Sequence, residues 1–363
     1  MRLMSLEQLE ATANAYINQA TKLSHAGFTA TKEDITGLVN KIFAEVFLDG
    51  DFSEDLGFMD GFKVEVGNTI EEYYAGFVSP EDYDESGAGN DAPARPDWAV
   101  PFYSERLGRK IFKTTKDYGT IQKAFSDAAE YGKLVMSIVK RLYDSLTLYL
   151  NQCKRELIGA VCAKNESVAN DAAYNPATVY KKGDRFANGV VVKDYDAGKA
   201  LDTAVATGYA VKLDLVTTIA KPTDSATGEA FIESVKVFAE KFKKPQQGYS
   251  YNGNIAGKGP KYVLILKDGI LPDLEVQTMA GAFQADKLAF PVEVRTVKDF
   301  GSKANEKAFA ILIDDRSMKL HNAYRAVRTH ENADGDFINY VLHDDEIAYW
   351  SPNTMTHVWV EQA

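Results

Sequence analysis

Hydrophobic residues recurring at intervals of three and four mark four helical stretches along the chain. In residues 5–25, Leu6, Leu9, Ala13, Tyr16, Ile17 and Leu23 fall close to one helical face, and in 33–47 Ile35, Leu38, Val39, Ile42, Phe43, Val46 and Phe47 form an apolar stripe. Such a stripe covers a core or packs an arm on a neighbour. The strongest signal runs from about Tyr118 to Lys164, where Leu134, Val135, Ile138, Val139, Leu142, Leu146, Tyr149, Leu150, Cys153, Leu157, Ile158 and Val161 keep the period and Lys133, Lys140, Arg141, Asp144, Gln152, Lys154 and Arg155 fill the rest. A helix over 121–163 is about 60 Å long at ~1.5 Å per residue and therefore spans its domain. The fourth, GEAFIESVKVFAEKFKK, carries Phe231, Ile232, Val235, Val237, Phe238 and Phe242 and stops before Pro245.

Between the second and third stretches the pattern changes. Residues 51–116 scatter Gly, Pro, Asp and aromatics among short extended pieces such as GFKVEVGNTIEEYYAGFV and WAVPFYSERLGRKIFKTT, and the tip SPEDYDESGAGNDAPARPD has no apolar pattern. This predicts a long, poorly packed hairpin with a mobile tip. After Tyr174, VYKKGDRFANGVVVKDY predicts a hairpin turning at Ala187-Asn188-Gly189. The chain ends in YVLILKDGILPDLEVQTMAGAF, a strand feeding a helix, followed by the short β-rich pieces PVEVRTV, AFAILID, MKLHNAYRAVRT, DFINYVLHD, EIAYW and MTHVWV, with no internal repeat.

Composition narrows the function. At 363 residues and 45% hydrophobic the chain can bury a sizeable core, as one large domain or two to three smaller ones. A formal net charge of -11 lacks the positive field of a protein that grips DNA through phosphates. No run approaches the roughly 20 apolar residues of a membrane span. The start lacks a signal-peptide pattern, so a chain made and kept in a cytoplasm is expected. Cys153 and Cys162, nine apart in the long helical stretch, read as free structural thiols.

Candidate chemistry is sparse. Gly253 to Gly257 encloses three residues where a phosphate loop needs four, and Lys258 is followed by Gly259 and Pro260, so no nucleotide site is expected there. His25, His321, His330, His343 and His357 form no metal spacing and read as surface or strand-face histidines. The carboxylate pairs Glu71-Glu72, Asp314-Asp315 and Asp344-Asp345 read as strand-end turns or solvated edges, because neighbours in a strand point to opposite faces. There is no GxSxG. Lys267, Asp268 and Gly269 suit a strand-ending turn and Pro272 and Asp273 the first turn of a helix, with Met279, Ala280 and Phe283 packing it back on the sheet: an architectural corner. No catalytic residue, cofactor or metal site is expected.

Three pieces carry a resemblance to a known family: GNTIEEYYAGFVSPEDYD, TGEAFIESVKVFAEKFKKPQQGYSYNG, and YVLILKDGILPDLEVQTMAGAFQADKL followed by PVEVRTV. The tail AILIDDRSMKLHNAYRAVRTHENADGDFINYVLHDDEIAYW adds to it, while Asn170 to Pro222 matches less well. The chain resembles the major capsid proteins of tailed bacteriophages, an α+β fold of the Hong Kong 97 type, and most closely those of small short-tailed podoviruses.

That resemblance implies an N-terminal arm over 1–50, an extended loop over 51–117, a peripheral domain with a spine helix and a possible local insertion over 118–222, and an axial domain with returning peripheral strands over 223–363. It implies hexamers and pentamers closing an icosahedral shell around double-stranded DNA in the virion, assembled in the host cytoplasm with portal and scaffolding partners, and no membrane. The aromatics Tyr73, Tyr74, Phe77, Trp98, Phe102 and Tyr103 of the extended loop suit burial between subunits. A nanocompartment shell of the same fold, enclosing a cargo enzyme, is the alternative; an α/β enzyme with a site near 266–273 is a third.

Overall fold

The computed structural model describes residues 56–64, 70–72, 74–75, 98–99, 104–117, 128–255, 261–271, 290–332, 335 and 337–362. The helices expected over 5–25 and 33–47, the loop tip 79–97 and the helix expected after Pro272 lie outside the described residues.

In chain order the first half comprises β1 (Asp60–Lys63), β2 (Tyr74–Ala75), β3 (Trp98–Ala99), β4 (Ser104–Arg106), β5 (Lys110–Asp117), α1 (Ala128–Ser167), β6 (Arg185–Phe186), β7 (Gly189–Val191), α2 (Leu201–Ala206), β8 (Ala210–Lys212) and β9 (Val216–Ile219). The second half comprises α3 (Ser225–Phe242), β10 (Tyr262–Lys267), β11 (Glu293–Val297), β12 (Ala308–Asp314), β13 (Met318–Asn332), β14 (Phe337–Trp350) and β15 (Thr356–Glu361).

The core is the mixed sheet β11-β10-β12-β15-β9, with β10–β11 and β15–β9 parallel and the middle pairs antiparallel. Alternate residues of its strands face opposite ways. On one face Val263, Ile265, Ile311, Ile313 and Val358 meet Ile158, Val161 and Cys162 of α1. On the other, Leu264, Leu266, Phe309, Leu312 and Trp359 meet Phe231, Val235, Phe238 and Phe242 of α3. Coverage on both faces is why YVLIL reads as a continuous apolar run. Asp224 caps α3: its carboxylate accepts the Thr227 N–H at 2.8 Å, and the Thr227 side chain accepts the Asp224 N–H at 3.1 Å.

A second sheet, β1-β13-β14-β4 with β5 also on β14, is built on a hairpin of 15- and 14-residue strands. Strands β4 and β5 follow one another along β14, opposite Ile347–Tyr349 and Phe337–Asp344. The roots of the segment expected to be a poorly packed hairpin are therefore bound into a five-stranded sheet, while β2 and β3 pair antiparallel further out. The expectation of separate strands at DFINYVLHD and EIAYW is corrected, since β14 runs unbroken through Asp344-Asp345.

Helix α1, 40 residues long, joins the two sheets. Leu142, Tyr143 and Leu146 are buried near its middle, and Ile158, Val161 and Cys162 near its C-terminal end. The segment after it forms a small unit of its own, β6-β7-β8 with α2, around Tyr180, Phe186, Val191 and Tyr195. The hairpin turns at Ala187-Asn188 as expected, with Asn188 in the left-handed region at φ 55.

Candidate functional site

The six aromatics singled out in the extended loop divide in two. Tyr74 and Trp98 sit on β2 and β3, opposite Ala99 and Ala75, so this pairing brings the two arms of the loop together at those residues. Tyr73, Phe77, Phe102 and Tyr103 lie outside the described residues. Further apolar exposure lies on the edges of the second sheet, with Phe62 of β1 62% and Ile111 of β5 60% exposed. Strand β5 carries Lys110, Lys113 and Lys116, charges that discourage indiscriminate pairing along a bare edge.

The least anticipated feature is a buried cluster of charge at the middle of the β13–β14 hairpin. Asp344, Asp345 and Glu346 are consecutive and all buried, which corrects the reading of Asp344-Asp345 as a turn or solvated edge. Strand alternation sends Asp345 to one face and Asp344 and Glu346 to the other. Asp345 accepts both ends of the Arg106 guanidinium of β4, at 3.0 and 3.1 Å from Nε and by a closer contact from the terminal nitrogen. Asp344 and Glu346 share Arg325, whose Nε donates to Asp344 at 2.8 Å and whose terminal nitrogen donates to Glu346 at 2.9 Å. Asn322 donates to Glu346 at 2.8 Å.

Asn322 and Arg325 are three apart and would face opposite ways in a regular strand. The register shifts between Asn322 and Tyr324, pairing Asn322 with Glu346 and Arg325 with Asp344. This bulge at Ala323 turns both donors to the same face. Burial, reinforced by the neighbouring Asp344 charge, pushes Glu346 up to about 7, and burial raises Asp344 as well. The readable signal was three acids set between Leu342-His343 and Ile347, a pattern a solvated turn does not need.

The remaining candidates are structural. His357 is fully buried on β15, 3.5 Å from Phe238 between ring centroids and hydrogen-bonded at both nitrogens. Cys153 and Cys162 are free thiols, as expected. Among the described residues no cluster of His, Cys, Asp and Glu is arranged to hold a metal. At the Lys267-Asp268-Gly269 corner, Asp268 donates its N–H to the Val297 carbonyl, Lys267 reaches the Glu306 carbonyl at 3.3 Å and Gly269 takes φ 88, so each described residue serves the turn. No helix among the described residues is long and apolar enough to cross a membrane.

This arrangement of two sheets and one long helix superposes on solved phage structures over most of its length. A capsid structure of Staphylococcus phage Andhra superposes with a TM-score of 0.58 at 11% identity, covering 87% of this chain and 86% of that one. A structure of the head fibre and inner core protein gp22 of native bacteriophage P68 gives 0.55 at 12% identity, covering 87% and 86%. The fold is the Hong Kong 97 type, and the class of protein is a structural capsid protein. Over residues 7–360 the sequence matches the family model described as Phi29-like phage major capsid protein, and the chain belongs to that family. No curated protein sequence matches it. The match favours a phage capsid over a nanocompartment shell. The protein is a shell component located in the virion capsid.

Proposed function

We propose that this coat protein assembles as hexamers and pentamers into an icosahedral head around double-stranded DNA, in the host cytoplasm, with scaffolding and portal proteins as partners. The observation that carries the reading is the family match, which spans nearly the whole chain including the extended loop. In this reading residues 1–50 form an arm, 51–117 the loop laid over a neighbouring subunit, 118–222 the peripheral domain with α1 as its spine and β6-β7-β8 as a local insertion, and 223–363 the axial domain and returning strands. Tyr73, Tyr74, Phe77, Trp98, Phe102 and Tyr103 bury themselves between subunits, because a two-stranded ribbon such as β2–β3 is marginal alone in water. The net charge of -11 suits a wall that confines DNA without gripping it.

Negative-stain electron microscopy with sedimentation of the purified protein tests this. Closed shells or ring-like capsomers are expected, and deletion of 79–97 or substitution of Tyr73 and Tyr74 is expected to abolish them while leaving a folded chain. A stable monomer or dimer under all conditions overturns the assembly reading, and normal particles from those variants overturn the loop assignment.

A further inference from the structure

All four residues of β1 are exposed, so this strand buries no side chain and is held by its hydrogen bonds. Among the described residues its sheet partner is β13, and its other edge is open. Asp60 pairs with Leu320 and Lys63 with Asn322, so three steps along β1 match two along β13. The extra residue takes the Phe62 N–H off the backbone ladder. Its acceptor is instead a side chain of the partner strand: Phe62 donates to His321 Nδ1 at 3.2 Å. Beyond it the ladder resumes, with the Val64 N–H on the Asn322 carbonyl at 2.8 Å.

The imidazole is built into this gap. His321 is 4% exposed, with Phe62 edge-on at 4.3 Å between ring centroids and Tyr349 at 5.9 Å. Gly61 makes the room, since a Cβ there would collide with Nδ1 and lie 2.7 Å from the adjoining ring carbon. A backbone N–H can only donate, so Nδ1 accepts, carries no proton, and the ring is neutral in this arrangement. The charged and titratable groups around it can be named element by element. On β1, Asp60 is paired with Lys154 of α1, and Lys63 lies at the far end. On β13, Lys319 donates to the Phe58 carbonyl. On β14 stand Tyr349 and Asp345, the latter taken by Arg106 of β4, and beyond Tyr349 lies Glu72, bonded to Ser351 Oγ at 2.7 Å. Among the described residues no carboxylate is bonded to the ring to hold a second proton on it.

We propose that His321 is an acid-operated catch on the root of the extended loop: the neutral ring holds β1 on β13, and the imidazolium, with no lone pair left for Phe62, lets it go. The release runs outward only. Upstream, Leu56 and Met59 are buried in the core with Ile158 and Met318, and Asp60 is tied to Lys154, so 56–60 stays while Gly61 to Val64 comes free. The catch stands on this geometry alone. Its consequence for a shell subunit, that acid loosens the loop from its own body, rests on the loop assignment proposed above.

Burial holds His321 below its ordinary 6.5 in the closed arrangement. With β1 detached the ring regains the higher value and binds the proton first. The detached state therefore gains on the closed one as pH falls below 6.5, until the closed ring itself protonates. Hydrogen exchange on the full-length chain, corrected for intrinsic rates, reads this directly. From pH 7.5 to 5, protection of the Phe62 and Val64 amides is expected to fall about tenfold, the change that one pH unit crossed within the window supplies, while protection of 262–266 holds. His321→Asn places an amide oxygen where Nδ1 lies and cannot titrate, so its protection should stay level across the range. Undiminished protection in wild type at pH 5, or an equal fall in His321→Asn, overturns the proposal. Exchange of the histidine C2–H, followed by peptide mass on wild type, gives the His321 pKa, and a value at or above 6.5 overturns it whether or not the variant folds. None of these readouts needs a shell: a chain that never assembles yet shows the fall fails the assembly reading and keeps the catch.

Discussion

The Lys154 ammonium and the Asp60 carboxylate meet at 2.6 Å, with the lysine side chain sealed from solvent and the aspartate 60% exposed. The pair ties the middle of α1 to β1, the edge strand that opens the described part of the extended loop. Beside it Lys319 donates to the Phe58 carbonyl, so two cations hold residues 58–60 against the body of the protein.

The asymmetry of that pair sets a testable order. Removing the wet partner in Asp60→Ala leaves a charge inside with its carboxylate gone, and a cost of about 1–3 kcal/mol is expected in denaturant unfolding. Lys154→Met fills the same volume without a charge and leaves Asp60 in water, so it should cost less. A larger loss for Lys154→Met than for Asp60→Ala would show that the lysine contributes through contacts other than Asp60.

Gly159 lies inside α1, where Ala is ordinarily better by about 1 kcal/mol. Here a Cβ would collide with the Phe300 carbonyl oxygen and come within 3.0 Å of the Ala304 nitrogen, both backbone atoms of the loop beneath the helix. Backbone cannot swing aside as a long side chain can, so the steric term wins and Gly159→Ala should lower the melting temperature. Gly269, at φ 88 with nothing within 4 Å of the point a Cβ would occupy, is the control. Gly269→Ala carries only the left-handed backbone cost of roughly 1–2 kcal/mol.

Trp359 is fully buried between the central sheet and α3, edge-on to Phe231 and Phe238, with its indole N–H donated to Ser234 Oγ at 2.9 Å. Trp359→Ala should cost about 3–5 kcal/mol. Trp359→Phe keeps most of the packing and should cost less, and Ser234→Ala isolates the hydrogen bond at about 1 kcal/mol. Equilibrium unfolding of the three variants gives the order directly.

What was legible in the sequence was whatever a single period determines. Helix α3 and its buried face at Phe231, Val235, Phe238 and Phe242 followed from spacing, the turn at Ala187-Asn188 from local chemistry, and α1 from a stripe too regular to be anything else. What was not legible depends on partners far along the chain. Asp344-Asp345 looked like a break because charge normally marks solvent; Arg325 and Arg106, which make its burial tolerable, are 19 and 239 residues away. The bulge at Ala323 that aligns Arg325 with Asn322 leaves no local signature either. Of the six loop aromatics, only Tyr74 and Trp98 fall among described residues, and all six had been nominated by aromatic character within the loop that the resemblance implies.

His357 gives the last prediction, and it opposes Glu346. Its Nδ1 faces the Asp214 carbonyl at 3.0 Å and so donates, leaving Nε2 to accept from Thr217 Oγ1 at 2.9 Å. The ring is neutral in this arrangement, and burial holds it down to about 3 against an ordinary 6.5. Between those values the unfolded chain binds the extra proton, so His357 removes stability as pH falls below 6.5. Glu346, raised to about 7, adds stability as pH falls from there toward 4.5. From pH 6.5 to 5 the two run against each other, alongside His321 and His343, which burial lowers, and Asp344 and Glu166, which burial raises, so each variant is read against the wild-type slope. Glu346→Gln removes the opposing carboxyl, so its midpoint should fall more steeply on acidification than that of wild type. His357→Gln removes the histidine's contribution and should fall less steeply, or rise, from a lower starting stability. Urea unfolding at pH 5, 5.75 and 6.5 distinguishes the cases, and a variant slope equal to that of wild type would show that the substituted group does not titrate in the folded chain as its surroundings dictate.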